Sequence, residues 1–139
     1  ASPGTMSVNG ALIMDGSDLA IDIWGLGGAG DAEGHDQIVF SSGSLSLANS
    51  PTIAVDLGTD FDPDIGESFT IVSGGGTGWS AEDWGDITVE NAPTTWTSSG
   101  KSFEVGYGSV TLTVIPEPGS LGLIGLFGLI YLLHRRLIS

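Results

Sequence analysis

The chain has 139 residues, about one domain's worth by the usual size prior, with 17 Asp plus Glu against three Lys plus Arg and a formal net charge of −14. So acidic a surface repels phosphate backbones, whose capture needs Lys and Arg, and excludes nucleic acid as a partner. Cysteine is absent and only His35 and His134 represent histidine, which removes disulfides, thiol nucleophiles and His- or Cys-based metal sites; no cofactor and no metal site is expected.

The 23 Gly, together with abundant Ser, Thr, Asp and β-branched residues, describe a turn-rich β protein. Residues 18–24, DLAIDIW, alternate with a period of two: Leu19, Ile21 and Ile23 face one way, and Asp18, Ala20, Asp22 and Trp24 the other. That alternation is the pattern of a half-buried strand. Further strands are predicted at 36–40, 44–47, 52–57, 68–72, 86–90, 101–107 and 109–114, separated by Gly, Asn, Asp and Pro clusters. Many short strands so punctuated imply an all-β sandwich, barrel or solenoid. No internal repeat is apparent.

Several stretches resemble chemical motifs and fail the physical test. Gly25, Gly27 and Gly30 spell G-x-G-x-x-G, but a dinucleotide site needs a helix to start there, and the chain returns to a strand instead. The glycine run at 73–80 has no Lys to reach a phosphate. His35 beside Asp36 suggests acid–base chemistry, yet no G-x-S-x-G nucleophile accompanies it. Asp60, Asp62, Asp64 and Glu67 alternate like ligands of a hard cation, but an EF-hand counted from Asp60 requires Gly where Ile65 stands and Glu where Ile71 stands; the expected reading is a solvated acidic turn before a strand, with a weak calcium site of another geometry as the alternative. No acid sits in a context that marks it as catalytic, and the protein is not expected to be an enzyme. Of the four tryptophans, Trp24, Trp79, Trp84 and Trp96, the pair Trp79 and Trp84 in a Gly-, Ser- and Asp-rich stretch are the candidate glycan-stacking residues. Their alternative role is to cover the open end of a small β core.

At Pro116 the composition changes. Residues 1–115 hold 16 acids and one Lys, a charge of −15, whereas residues 116–139 hold Glu117, Arg135 and Arg136, a charge of +1. Pro116 and Pro118 each fix φ and lack an N–H, so the last strand must stop there. Ser120 is placed to cap a helix, and every residue from 121 to 133 is apolar or Gly. As a helix these residues cover about 20 Å, short of the ~30 Å hydrocarbon core; the flanking Gly119, Ser120, Leu137 and Ile138 bring the segment to the lower edge of a span. Arg135 and Arg136 then mark the cytoplasmic side and put residues 1–115 outside.

This order of features, Pro116–Glu117–Pro118, a Gly-containing apolar helix and a terminal Arg pair, resembles the PEP-CTERM sorting signal of Gram-negative bacteria. The resemblance implies export across the inner membrane, recognition by an exosortase-type membrane sorting enzyme with cleavage near the tripeptide, and association with exopolysaccharide and biofilm matrix. The basic cluster is shorter than is usual in that family, and the chain continues past it as Leu-Ile-Ser. The stretch from Asp18 to Val72 resembles the final rungs of autotransporter-type β-helix passengers, which implies a solenoid end whose cap is formed by the region between Trp79 and Trp96 and a hairpin over 103–114. A two-sheet sandwich remains the alternative. The chain opens ASPGTMSVNG, with no initiator Met and no signal peptide in view, and is read as a fragment or processed form of a longer protein.

The expectation is therefore an acidic extracytoplasmic β domain at 1–115 and a sorting and transmembrane segment at 116–139. The function expected is that of an exported surface or matrix protein with a structural or adhesive role. Its partners would be the sorting enzyme, membrane lipid through the C-terminal helix, and exopolysaccharide. A carbohydrate-binding module is the second reading and a fragment of a polysaccharide hydrolase the third.

Overall fold

The structure is a computed structural model that describes residues 2–74, 80–106 and 109–117. Among them the elements run β1 (Thr5–Asn9), β2 (Leu12–Asp15), β3 (Asp18–Ile23), β4 (Gln37–Ser42), β5 (Leu45–Ala48), β6 (Thr52–Leu57), β7 (Ser68–Ser73), β8 (Ile87–Glu90), the short helix α1 (Thr94–Ser98), β9 (Lys101–Val105) and β10 (Val110–Pro116), with a single 3-10 turn at Ala81–Asp83. The chain is all-β, as its period-two patterning predicts. Strands β1 and β2 are additions to the sequence reading, since TMSVN and LIMD are too short and mixed to announce themselves. The predicted apolar helix, Pro118, Arg135 and Arg136 lie outside the described residues. Among the described residues no helix is long and apolar enough to cross a membrane.

Pairing between the first eight strands is parallel throughout. Strand β1 pairs with β4 and β4 with β7, β2 pairs with β5, and β3 pairs with β6, which pairs with β8. Partners sit 32 to 34 residues apart in sequence. The register of β3, β6 and β8 sets like on like: Leu19, Ile53 and Ile87 in one row, Ile21, Val55 and Val89 in another, with Ile23 beside Leu57. These side chains face inward, where Ile23, Ile53 and Val55 have no exposed surface and join Met14, Leu45, Ile38, Phe40 and Ile71 in one apolar cluster.

Polar side chains repeat the coupling on the outside. Asn49 donates to Asp15, Thr52 to Asp18, Ser42 to Asn9 and Asn91 to Asp56, each bond spanning 33 to 35 residues of sequence. At the corners Asn49, Ser50 and Asn91 adopt positive φ near 50°, a conformation that Asn tolerates because its side chain bonds locally.

The last two strands reverse this pattern. Strand β10 runs antiparallel to both β7 and β9. A register shift between Val110 and Thr111 accompanies the burial of two successive residues, Ile71 and Val72. Trp96 of α1 stacks on Phe103 at 5.0 Å between ring centroids, and Lys101 reaches over the Trp96 ring at 5.9 Å. Trp96 and Phe103 are both buried and belong to the same apolar cluster as the strands.

Ile53 should carry much of this packing, because it is fully buried in the middle strand of its ladder. In urea denaturation Ile53→Ala is expected to lose about 2–5 kcal/mol. Ala54→Ser, one residue along on the outer face, should stay within about 0.5 kcal/mol of the parent.

Candidate functional site

Strands β3, β6 and β8 point the same way, so their C-terminal ends and the segments that leave them gather at one end of the ladder. Those segments enclose an open groove of about 1040 Å³, lined among others by Trp24, Leu26, Glu33, Asp56, Asp60, Phe61 and Asn91. Its walls mix three carboxylates with aromatic and aliphatic surface.

Local structure holds each wall in place. Trp24 leaves β3 and lies against Gly58, where a Cβ would sit 2.8 Å from the Trp24 Cα and 3.0 Å from its Cγ. Any side chain at 58 would push the indole away. The Gly58 N–H donates to Ile23 O at 3.0 Å and Phe61 N–H closes a turn onto Gly58 O at 2.9 Å. Phe61 is anchored edge-on to the buried Phe69 at 6.2 Å. Asn91 Nδ2 donates to Asp56 Oδ1 at 2.9 Å, and Leu26 is 66% exposed on the rim. Nε1 of Trp24 is buried without a hydrogen-bond partner among the described residues.

The glycine-rich segment after β3 serves this wall. Backbone bonds run from Trp24 N–H to Gly34 O, from Gly27 N–H to Glu33 O and from Gly30 N–H to His35 O, so the loop folds back on itself. A Cβ at Gly25 would lie 2.2 Å from Glu33 O, and one at Gly34 1.9 Å from Gly28 O. Close approach of backbone to backbone accounts for these glycines, and the loop leads into β4 with no helix on which a phosphate could sit.

Asp36 is a structural strut. Its two carboxylate oxygens accept from Gly4 N–H at 2.6 Å and Asp22 N–H at 2.8 Å, and its own N–H donates to Asp22 O. It ties the start of the chain, β3 and the entry to β4 together. His35 meets Thr70 O through Nε2 at 3.2 Å and packs edge-on against Phe69. Among the described residues no Ser or Thr hydroxyl and no carboxylate is hydrogen-bonded to its ring, so no nucleophile relay is seen around His35 and Asp36 there.

The acids of TDFDPDIGE separate. Asp60 lines the groove, while Asp62 pairs with Lys101 Nζ at 3.0 Å, a contact that Lys101 extends to Pro63 O. The Thr95 hydroxyl, and then Lys101, hold the Asp62 carboxyl below the ordinary range. Among the described residues no three His, Cys, Asp or Glu side chains come together as metal ligands.

Of the candidate glycan-stacking residues, Trp84 is 5% exposed and belongs to the core, so it offers no face to a sugar. Trp79 lies outside the described residues. Glu117 of the Pro116–Glu117–Pro118 tripeptide is exposed just beyond β10, with Pro116 as that strand's last residue. The groove residues Glu33, Asp56 and Asn91 were not singled out by sequence. The signal that would have found Asp56 is the spacing that places Asp22, Asp56 and Glu90 opposite one another in β3, β6 and β8. Comparison with known protein families, curated proteins and solved structures found no match.

That row has an electrostatic consequence. Burial first, then the negative charges of Asp36 and Asp56, push the Asp22 carboxyl above its ordinary value of 3.8. A carboxyl whose value is raised by folding binds its proton more tightly in the folded state, so it destabilises the fold once ionised. The penalty is fully present above the raised value and vanishes below 3.8. Asp22→Asn should therefore raise the melting temperature at pH 7, with the gain shrinking to nothing as the pH falls below 3.8; melting curves of both proteins across pH 3–8 measure it.

Proposed function

We propose that the chain is the end of a β-helix belonging to an exported protein of the bacterial surface or extracellular matrix, where it acts as a structural or adhesive element. In this reading three short parallel ladders are successive faces of the helical coil, and β9 with β10, α1 and Trp96 form its terminal cap. Support for the coil comes from the parallel pairing in all three ladders at a nearly constant separation of 32 to 34 residues. Such stacking needs only neighbour contacts, and a capped end protects the last rung from further pairing.

The observation that carries the export reading is the junction at Pro116. Here an acidic β body gives way to Pro116, Glu117 and Pro118, then to an apolar stretch and Arg135 and Arg136, as in a PEP-CTERM signal. Strand β10 ends at Pro116 and Glu117 is exposed. A membrane-embedded sorting enzyme would thus meet the tripeptide at the edge of the folded body. The apolar residues would insert as a helix, the arginines would halt transfer, and the body would remain on the far side of the membrane. An acidic surface suits that destination, because it keeps the protein soluble and holds divalent ions loosely.

Fractionation of cells expressing the full-length protein tests this. The parent should reach the surface with a C-terminus near residue 118, read by mass spectrometry, whereas Pro116→Ala with Pro118→Ala should accumulate in the inner membrane with its tail intact. A soluble cytoplasmic parent retaining the whole tail would overturn the proposal.

A further inference from the structure

The groove beyond β3, β6 and β8 combines properties that neither the sorting signal nor the core requires. Glu33, Asp56 and Asp60 give it three carboxylates. Lys101 is the only Lys or Arg among the described residues, and it is bound to Asp62. Among the described residues no side-chain cation neutralises the groove, whose carboxylates would repel an anionic chain. These carboxylates do not converge at metal-ligand spacing. Negative charge spread along a groove matches a ligand whose positive charges are also spread out, and mismatches a single divalent ion.

The remaining walls narrow the chemistry further. Trp24 and Phe61 are rings fixed by Gly58 and Phe69, and flat aromatic surface in a concave site accepts the C–H face of a sugar or other apolar plate. Asn91 and Thr59 add amide and hydroxyl groups to the lining. A volume of about 1040 Å³ is at the upper end of small-ligand sites, which run to roughly 1,000 Å³, and accommodates several linked rings. A flexible alkyl amine would use the charge but neither the rings nor the amide.

We propose that this groove binds a polysaccharide bearing protonated amino groups, of the partly deacetylated glucosamine class, with Glu33, Asp56 and Asp60 facing the ammonium groups and Trp24 and Phe61 supporting sugar rings. The site lies wholly within the β body, so it stands or falls separately from the sorting signal.

Isothermal titration of the full chain in detergent with four hexamers decides the matter: glucosamine, N-acetylglucosamine, lysine and galacturonic acid. Glucosamine hexamer should bind, the acetylated sugar and hexalysine about tenfold or more weakly, and the galacturonate not at all. Glu33→Gln with Asp60→Asn changes two exposed side chains and should weaken glucosamine binding about tenfold with the circular dichroism unchanged. Trp24→Leu, checked for folding in the same way, should weaken both sugars. Absence of glucosamine binding would overturn the proposal, as would equal binding of hexalysine or of the acetylated hexamer. Parent-like affinity in the folded double variant would equally overturn it by placing binding elsewhere on the acidic surface.

Discussion

Everything in this protein depends on strands stacked in parallel and in register. Side chains alternate along a strand, so a slip of one residue would turn every apolar row outward. With Leu19, Ile53 and Ile87 aligned, the side chain of the middle strand β6 meets a similar one on either side. The same alignment is imposed on the outer face. There it sets Asp22, Asp56 and Glu90 side by side, on strands about 4.8 Å apart, where like charges oppose one another. The register thus stabilises the core and concentrates negative charge at the strand ends in a single act.

The fold relieves part of that repulsion locally. Asn91 gives a hydrogen bond to Asp56, and Asp36 turns its oxygens onto backbone N–H groups of Gly4 and Asp22. Lys101 is committed elsewhere, to Asp62 and over the Trp96 ring. What repulsion is left surrounds the groove, and a ligand with distributed positive charge would relieve it. Matrix polysaccharide is the class of partner that an exported adhesive protein would meet, so the proposed location and the proposed ligand are compatible while resting on different residues.

The sequence announced the strands better than their arrangement. DLAIDI, TIAVDL and SFTIV alternate so regularly that β3, β6 and β7 lie where periodicity predicts them, within a residue. Period two does not say which strand lies beside which, because parallel pairing between strands some 33 residues apart is a long-range property. The repeat was present nevertheless: Leu19-Ala20-Ile21-Asp22, Ile53-Ala54-Val55-Asp56 and Ile87-Thr88-Val89-Glu90 follow one template. Conservative exchange of Leu, Ile and Val, and of Asp for Glu, hid it. The groove was illegible for a related reason, since Trp24, Asp56 and Asn91 are distant in sequence and meet only after β3, β6 and β8 pair. Trp84 shows the opposite difficulty: a tryptophan in a polar stretch looks available to a ligand, yet the apolar core claims it.

The register itself is open to direct measurement, because the chain contains no cysteine. Ala20 and Ala54 are partners on the outer face of β3 and β6, and in-register neighbours of this kind fall within the roughly 4.4–6.8 Å Cα separation a disulfide needs. The account predicts that Ala20→Cys with Ala54→Cys closes an intramolecular disulfide on mild oxidation of the folded protein. Ala20→Cys with Thr88→Cys, one strand further away, should stay reduced. Failure of the first pair to close, or equal closure of the second, would contradict the parallel register on which the core and the groove both rest.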